Sequence, residues 1–66
     1  MPYASIEDLP QNIQNNLPIH AQEIFKETFN NALEKYSNEV TAFKVAWAAV
    51  KKKYQKDQNG LWREKN

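Results

Sequence analysis

The chain has 66 residues, of which 41% are hydrophobic, 12% aromatic and 26% charged, with a formal net charge of +1. This length leaves no room for a second ordinary domain, and the composition is too apolar for a disordered tail. The absence of cysteine excludes a disulfide scaffold and thiolate metal sites, and a lone histidine excludes a His-rich metal site. No apolar run approaches the ~20 residues that cross a bilayer, and the first residues do not read as a secretory signal. The expectation is a single domain over residues 1–66, monomeric, cytoplasmic and without membrane insertion.

Three prolines and one glycine punctuate the chain. Pro10 and Pro18 read as helix starts, where a missing N–H has no intrahelical partner to lose. Pro18 also pushes Leu17 away from the helical region, so the first helix is short, roughly Pro10 to Asn16. Ile13 and Leu17 are its inward residues, and Asp8 just upstream is placed to accept hydrogen bonds from its free N–H groups.

The second helix is predicted from Pro18 or Ile19 to Tyr36. Its apolar positions are Ala21, Ile24, Phe25, Thr28, Phe29, Ala32, Leu33 and Tyr36, which share about half of the helix circumference at ~100° per residue. Ser37, Asn38 and Glu39 read as a turn. The third helix is predicted from Val40 or Thr41 to about Lys56. Phe43, Ala46, Trp47, Val50 and Tyr54 form its stripe, flanked by Ala42 and Ala49, whose small side chains admit a close neighbour. Asp57-Gln58-Asn59-Gly60 is a turn by composition. Leu61-Trp62-Arg63 and Pro2-Tyr3-Ala4 read as short extended pieces that pair with each other and tie the termini together. The fold class is therefore mainly α: a compact bundle of about three helices with a small two-stranded pairing.

Charge is unevenly laid out. Residues 1–39 carry six acids and two bases, a net −4, whereas residues 40–66 carry seven bases and two acids, a net +5. Lys51, Lys52, Lys53 and Lys56 fall near the end of the third helix, where cations complement the negative end of its dipole. A solvated polar face accounts for this layout, and so does a surface that meets a charged partner. Screening over ~8–10 Å keeps either effect local.

Catalytic constellations are missing. There is no Cys/His pair, and Ser5 and Ser37, the two serines, fit turn or cap roles. His20 reads as a first-turn residue bonded to nearby groups, with a pH-sensitive contact as its functional reading. The Asp57–Gly60 stretch echoes the start of a calcium loop, but the glutamate required at loop position 12 would lie beyond the end. No cofactor, no metal site and no enzymatic activity are expected. The lysine cluster beside Tyr54 and Trp62 combines charge with aromatic rings, a pattern suited to single-stranded nucleic acid, although Trp62 reads better as a lid over the core.

The N-terminal Pro-Tyr, then DLP, LPIHAQEIF, FNNA, FKVAWAAVKKKY and a closing LW together resemble the ChaB family over about residues 2–62. The resemblance implies a mainly helical ChaB-like fold with a small strand pairing. It implies a small non-enzymatic regulator that meets the cytoplasmic segments of a cation/proton antiporter through protein contacts. His20, Asn30 and Lys44 match polar signature positions of the family, which makes them candidates for partner binding together with Lys51, Lys52, Lys53, Lys56 and Arg63. Some members carry a longer charged link between the second and third helices; here that link is a few residues. The alternative expectation is a nucleic-acid-binding protein that uses the same basic C-terminal part.

Overall fold

The computed structural model describes residues 3–65. After a 3-10 turn at Ile6–Asp8 come helices α1 (Gln11–Asn16), α2 (Ile19–Tyr36) and α3 (Glu39–Lys53), then strands β1 (Tyr54–Lys56) and β2 (Trp62–Glu64). The architecture is three helices and one small antiparallel hairpin, as the sequence led us to expect. The differences lie at element ends and in what pairs with what.

Pro10 and Pro18 are the caps before α1 and α2, one residue earlier than the first helical position. Their φ values of −53° and −65° suit a helix, but ψ values of 146° and 164° keep them extended. Each helps through its carbonyl: Pro10 accepts from the Ile13 and Gln14 N–H groups, and Pro18 accepts from Gln22 N–H. Leu17 is extended (φ −109°, ψ 140°), as a residue before proline must be. Asp8 does not cap α1. Its carboxylate accepts from Ser5 N–H at 3.3 Å, because the 3-10 turn brings the two together first.

Ser37 ends α2 in the left-handed region (φ 53°, ψ 34°), and its N–H donates to the Leu33 carbonyl at 2.8 Å. Asn38 then caps α3, its Oδ1 accepting from Thr41 N–H at 3.0 Å. That cap starts α3 at Glu39, before the expected Val40, so the α2–α3 link is Ser37 and Asn38 alone.

The third helix stops at Lys53, three residues short of expectation. Tyr54 leaves it at φ −129°, ψ 156°, and begins a strand. Its partner is β2, in the register Tyr54↔Glu64, Gln55↔Arg63 and Lys56↔Trp62. Among the described residues the C-terminal piece therefore pairs with β1 and not with Tyr3-Ala4; Pro2, of the expected N-terminal piece, lies outside the described residues. Tyr3 is held by α2 instead: its N–H donates to Asn30 Oδ1 at 2.8 Å, and Asn30 Nδ2 donates to its carbonyl at 2.9 Å.

The core sits between α2 and α3, roofed by α1. Ala21, Phe25, Phe29 and Ala32 of α2 meet Ala42, Ala46 and Val50 of α3, with Leu9, Ile13, Leu17 and Tyr54 closing the ends. Ala42 and Ala46 are fully buried, so the two backbones approach closely and the rings pack around them. Phe25 is the hub, edge-on to Phe43 at 5.1 Å and to Trp47 at 5.5 Å between ring centroids. Trp47 is half-buried, at the rim of this core rather than its centre. Tyr36, in the last turn of α2, is exposed, unlike the rest of its stripe; Lys35 Nζ lies 5.5 Å from its ring. One buried polar side chain, Gln22, was not anticipated. It donates to the Leu17 carbonyl at 2.8 Å and the Gln14 carbonyl at 3.2 Å, which stitches α1 to α2 and satisfies carbonyls at the end of α1.

Candidate interaction surface

The hairpin is positioned by its turn. Asp57 Oδ1 accepts from the N–H groups of Asn59 and Leu61, both at 2.9 Å, and Gly60 takes the positive φ (81°) that reverses the chain. Asp57 Oδ2 accepts from Arg63 Nε at 2.7 Å, which ties the turn to β2. The Leu61 N–H bond has the largest effect on the Asp57 carboxyl and lowers its pKa; burial, next in size, opposes it, and Arg63 and the Asn59 N–H add to the lowering.

Strand alternation sorts the hairpin side chains. Trp62 faces inward, its ring 5.5 Å from that of Trp47, and acts as the lid that its sequence position suggested. Lys56 shares this face, its Nζ 5.9 Å from the Trp62 ring centroid. Gln55 and Arg63 lie on the other face. Lys65 N–H donates to the Lys53 carbonyl at 2.7 Å, so the ladder continues into the helix end. The fold thus gathers Lys51, Lys52 and Lys53 at the end of α3 beside Lys56, Arg63 and Lys65 on the hairpin. Among these, the lysines and Arg63 are exposed.

The remaining candidates are elsewhere. Lys44 is exposed about two turns before Lys51 and edges a shallow apolar hollow with Glu39, Val40 and Phe43. Asn30 is half-buried, and both ends of its amide are engaged with Tyr3. His20 is exposed in the first turn of α2, and its imidazole makes no hydrogen bond among the described residues, unlike the local bonding expected of it.

His20 does, however, border a cleft of about 610 Å³ between the start of α2 and the hairpin, lined by Pro18, His20, Tyr54, Gln55, Trp62, Arg63 and Glu64. Sequence spacing could not reveal it, since its walls come from opposite ends of the chain. Tyr54 is 4% exposed, and burial, then the charges of Glu64 and Glu23, push its hydroxyl pKa up from 10.0. That hydroxyl donates no hydrogen bond among the described residues. Among the same residues no group of three His, Asp or Glu side chains converges to hold a metal ion, and no helix is long and apolar enough to cross a membrane.

Comparison with known proteins gives a consistent answer. The protein named "Putative cation transport regulator ChaB" from Escherichia coli (strain K12) is 45% identical over 76 aligned positions that cover all of both chains. A viral relative, "Uncharacterized 10.9 kDa protein in LEF8-FP intergenic region" from Lymantria dispar multicapsid nuclear polyhedrosis virus, is 34% identical over 62 residues, 94% of this chain and 63% of the viral one. The solved structure described as "NMR solution structure of the putative cation transport regulator ChaB" superposes with a TM-score of 0.88 at 44% identity, covering 98% of this chain and 100% of that one. The ChaB family model itself matches residues 9–65, from the buried Leu9 through the whole hairpin, and the chain belongs to that family.

Proposed function

We propose that this chain is a small non-enzymatic regulator of cation transport that works by protein contact, its partner being the cytoplasmic segments of a cation/proton antiporter. The relatives' shared name supports the transport role. The observation that carries the contact mode is the gathering of α3's lysine end and the hairpin into one basic end through the Lys65–Lys53 backbone bond. Most of the apolar stripes of α2 and α3 is taken up by the core, and the cations of this end are exposed. This reading requires a cytoplasmic location, and a monomer suffices for it.

The test is titration of this chain against antiporter cytoplasmic segments at low and at physiological salt. Binding that weakens and associates more slowly as salt rises is expected. No binding at low salt overturns the reading. The nucleic-acid alternative uses the same cations, but Trp62 turns toward Trp47 instead of offering an open stacking platform. It predicts a linear fall of log affinity for a single-stranded oligonucleotide with log salt, abolished when Lys51, Lys52 and Lys53 are changed together to Gln.

A further inference from the structure

The ladder of the hairpin has a defined phase. Lys53 and Lys65 form a bonded pair, as do Asp57 and Leu61, whose N–H and C=O lie 2.8 Å apart. Bonded and unbonded pairs alternate along an antiparallel ladder. Tyr54:Glu64 and Lys56:Trp62 are therefore the unbonded pairs, and their backbone groups point away from the partner strand. On β1, the Tyr54 N–H is returned to α3 through the Val50 carbonyl. On β2, the N–H and C=O groups of Trp62 and Glu64 have no partner among the described residues. An open strand edge is a template for a further strand.

All three residues of β2 line the cleft, beside Tyr54 and Gln55 of β1. The cleft also contains the Tyr54 hydroxyl, which reaches its surface and makes no hydrogen bond among the described residues, although the rest of the side chain is buried. Residues 51–65 carry six cations and two acids; of these Arg63, paired with Asp57, and Glu64 line the cleft itself, and the lysines stand on the adjoining helix end and hairpin. Arg63 uses only Nε for that pair and keeps its other guanidinium donors. We propose that the cleft between the start of α2 and the hairpin receives an extended acidic peptide segment, which adds as a strand to the open edge of β2 and accepts hydrogen bonds from Tyr54 and Arg63. Backbone pairing supplies the register and the basic surround selects acidic side chains. This inference rests on the protein-contact reading above and specifies the partner's conformation and charge.

The probe is a synthetic peptide of about eight residues, the length of one strand, with glutamate and valine alternating. It is compared with the same sequence N-methylated at alternate residues, which keeps the charge and removes the pairing N–H groups. Nuclear magnetic resonance titration at low salt is expected to shift the Trp62 and Glu64 amides. Affinity for the methylated peptide should be about tenfold lower, the scale of one or two backbone hydrogen bonds. Glu64→Pro removes an outward N–H and leaves the bonded pairs intact, so it should weaken binding by a similar factor without changing the melting curve. Tyr54→Phe should weaken it several-fold. Equal affinity for both peptides overturns strand addition and leaves charge-driven contact standing. Failure to bind either peptide, while antiporter segments do bind, overturns the cleft as the site. An oligonucleotide that displaces the peptide and shifts the same amides more strongly, or pairing of the edge with a second copy in sedimentation, also overturns it.

Discussion

The Trp62 ring lies against the Trp47 ring, with centroids 5.5 Å apart and planes tilted by 38°. This contact joins the hairpin to the helical core, because Trp47 in turn meets the fully buried Phe25 edge-on. A two-stranded hairpin is marginal in water on its own, so its order depends on that lid. A double-mutant cycle with Trp47→Ala and Trp62→Ala should give a coupling of about 0.5–1.5 kcal/mol in urea unfolding. Trp47→Ala alone should cost about 3 kcal/mol, the low end for aromatic deletions because the ring is half-buried. Additive losses would show that the two rings do not support each other.

Tyr3 is fastened by Asn30, whose amide makes reciprocal bonds to its backbone. This places the Tyr3 ring 4.8 Å from Phe29. Asn30→Ala should cost about 1–3 kcal/mol, from two hydrogen bonds in a half-buried setting. Asn30→Asp should lose nearly as much, since a carboxylate would face the Tyr3 carbonyl. Denaturation midpoints measure both, and fast exchange of the Tyr3 amide in either variant marks release of the segment. An unchanged midpoint for Asn30→Ala would show that the latch carries no stability.

These two contacts also mark how far local pattern reaches. Pro10, Pro18 and the extended Leu17 are effects of one residue on its neighbours, and they delimit α1 and α2 to within a residue or so. The inward stripe from Ala21 to Ala32 is a matter of helical period alone. The end of α3 is different. Tyr54 continues the period of Val50 and Trp47, so local spacing cannot distinguish another helical turn from a strand. What decides is a tertiary event, the docking of Trp62 on Trp47, made reachable by the Asp57–Gly60 turn. Asn30 stands out in sequence as a polar residue, but its partner is a distant backbone that carries no side-chain signal. Likewise, the cations of the basic end are plain in composition, whereas the cleft joining His20 to Arg63 exists only once α2 and the hairpin are folded together.

Ser37 holds a left-handed conformation, φ 53°, that costs a non-glycine residue about 1 kcal/mol. Ser37→Gly should therefore raise stability by up to about 1 kcal/mol, less what glycine adds to the freedom of the unfolded chain. Asn38→Ala should lower it by about 1 kcal/mol, because the Thr41 N–H loses its acceptor. Opposite shifts from adjacent positions are a sharp signature in thermal melts. A loss in Ser37→Gly would mean that the serine side chain contributes more than its backbone costs.

The Asp57 carboxyl titrates below its unfolded value, held down first by the Leu61 N–H bond and then by Arg63 and the Asn59 N–H. A depressed carboxylate pKa means the unfolded chain binds its proton more readily. Its stabilising effect is therefore complete above the unfolded value, about 3.9, and is lost as pH falls through the lower folded value. Tyr54 works at the other extreme. Burial, then Glu64 and Glu23, raise its pKa above 10.0, so its contribution is present below that value and fades as pH climbs through the folded one. Stability measured against pH should therefore fall away at both ends. Asp57→Asn should flatten the acid limb by removing the titrating group, at the cost of a looser hairpin turn at neutral pH. Tyr54→Phe should flatten part of the alkaline limb, leaving the share due to Tyr3, whose hydroxyl pKa is also raised, by burial and then by Glu39. An acid limb unchanged in Asp57→Asn would place the sensitive carboxylate elsewhere in the chain.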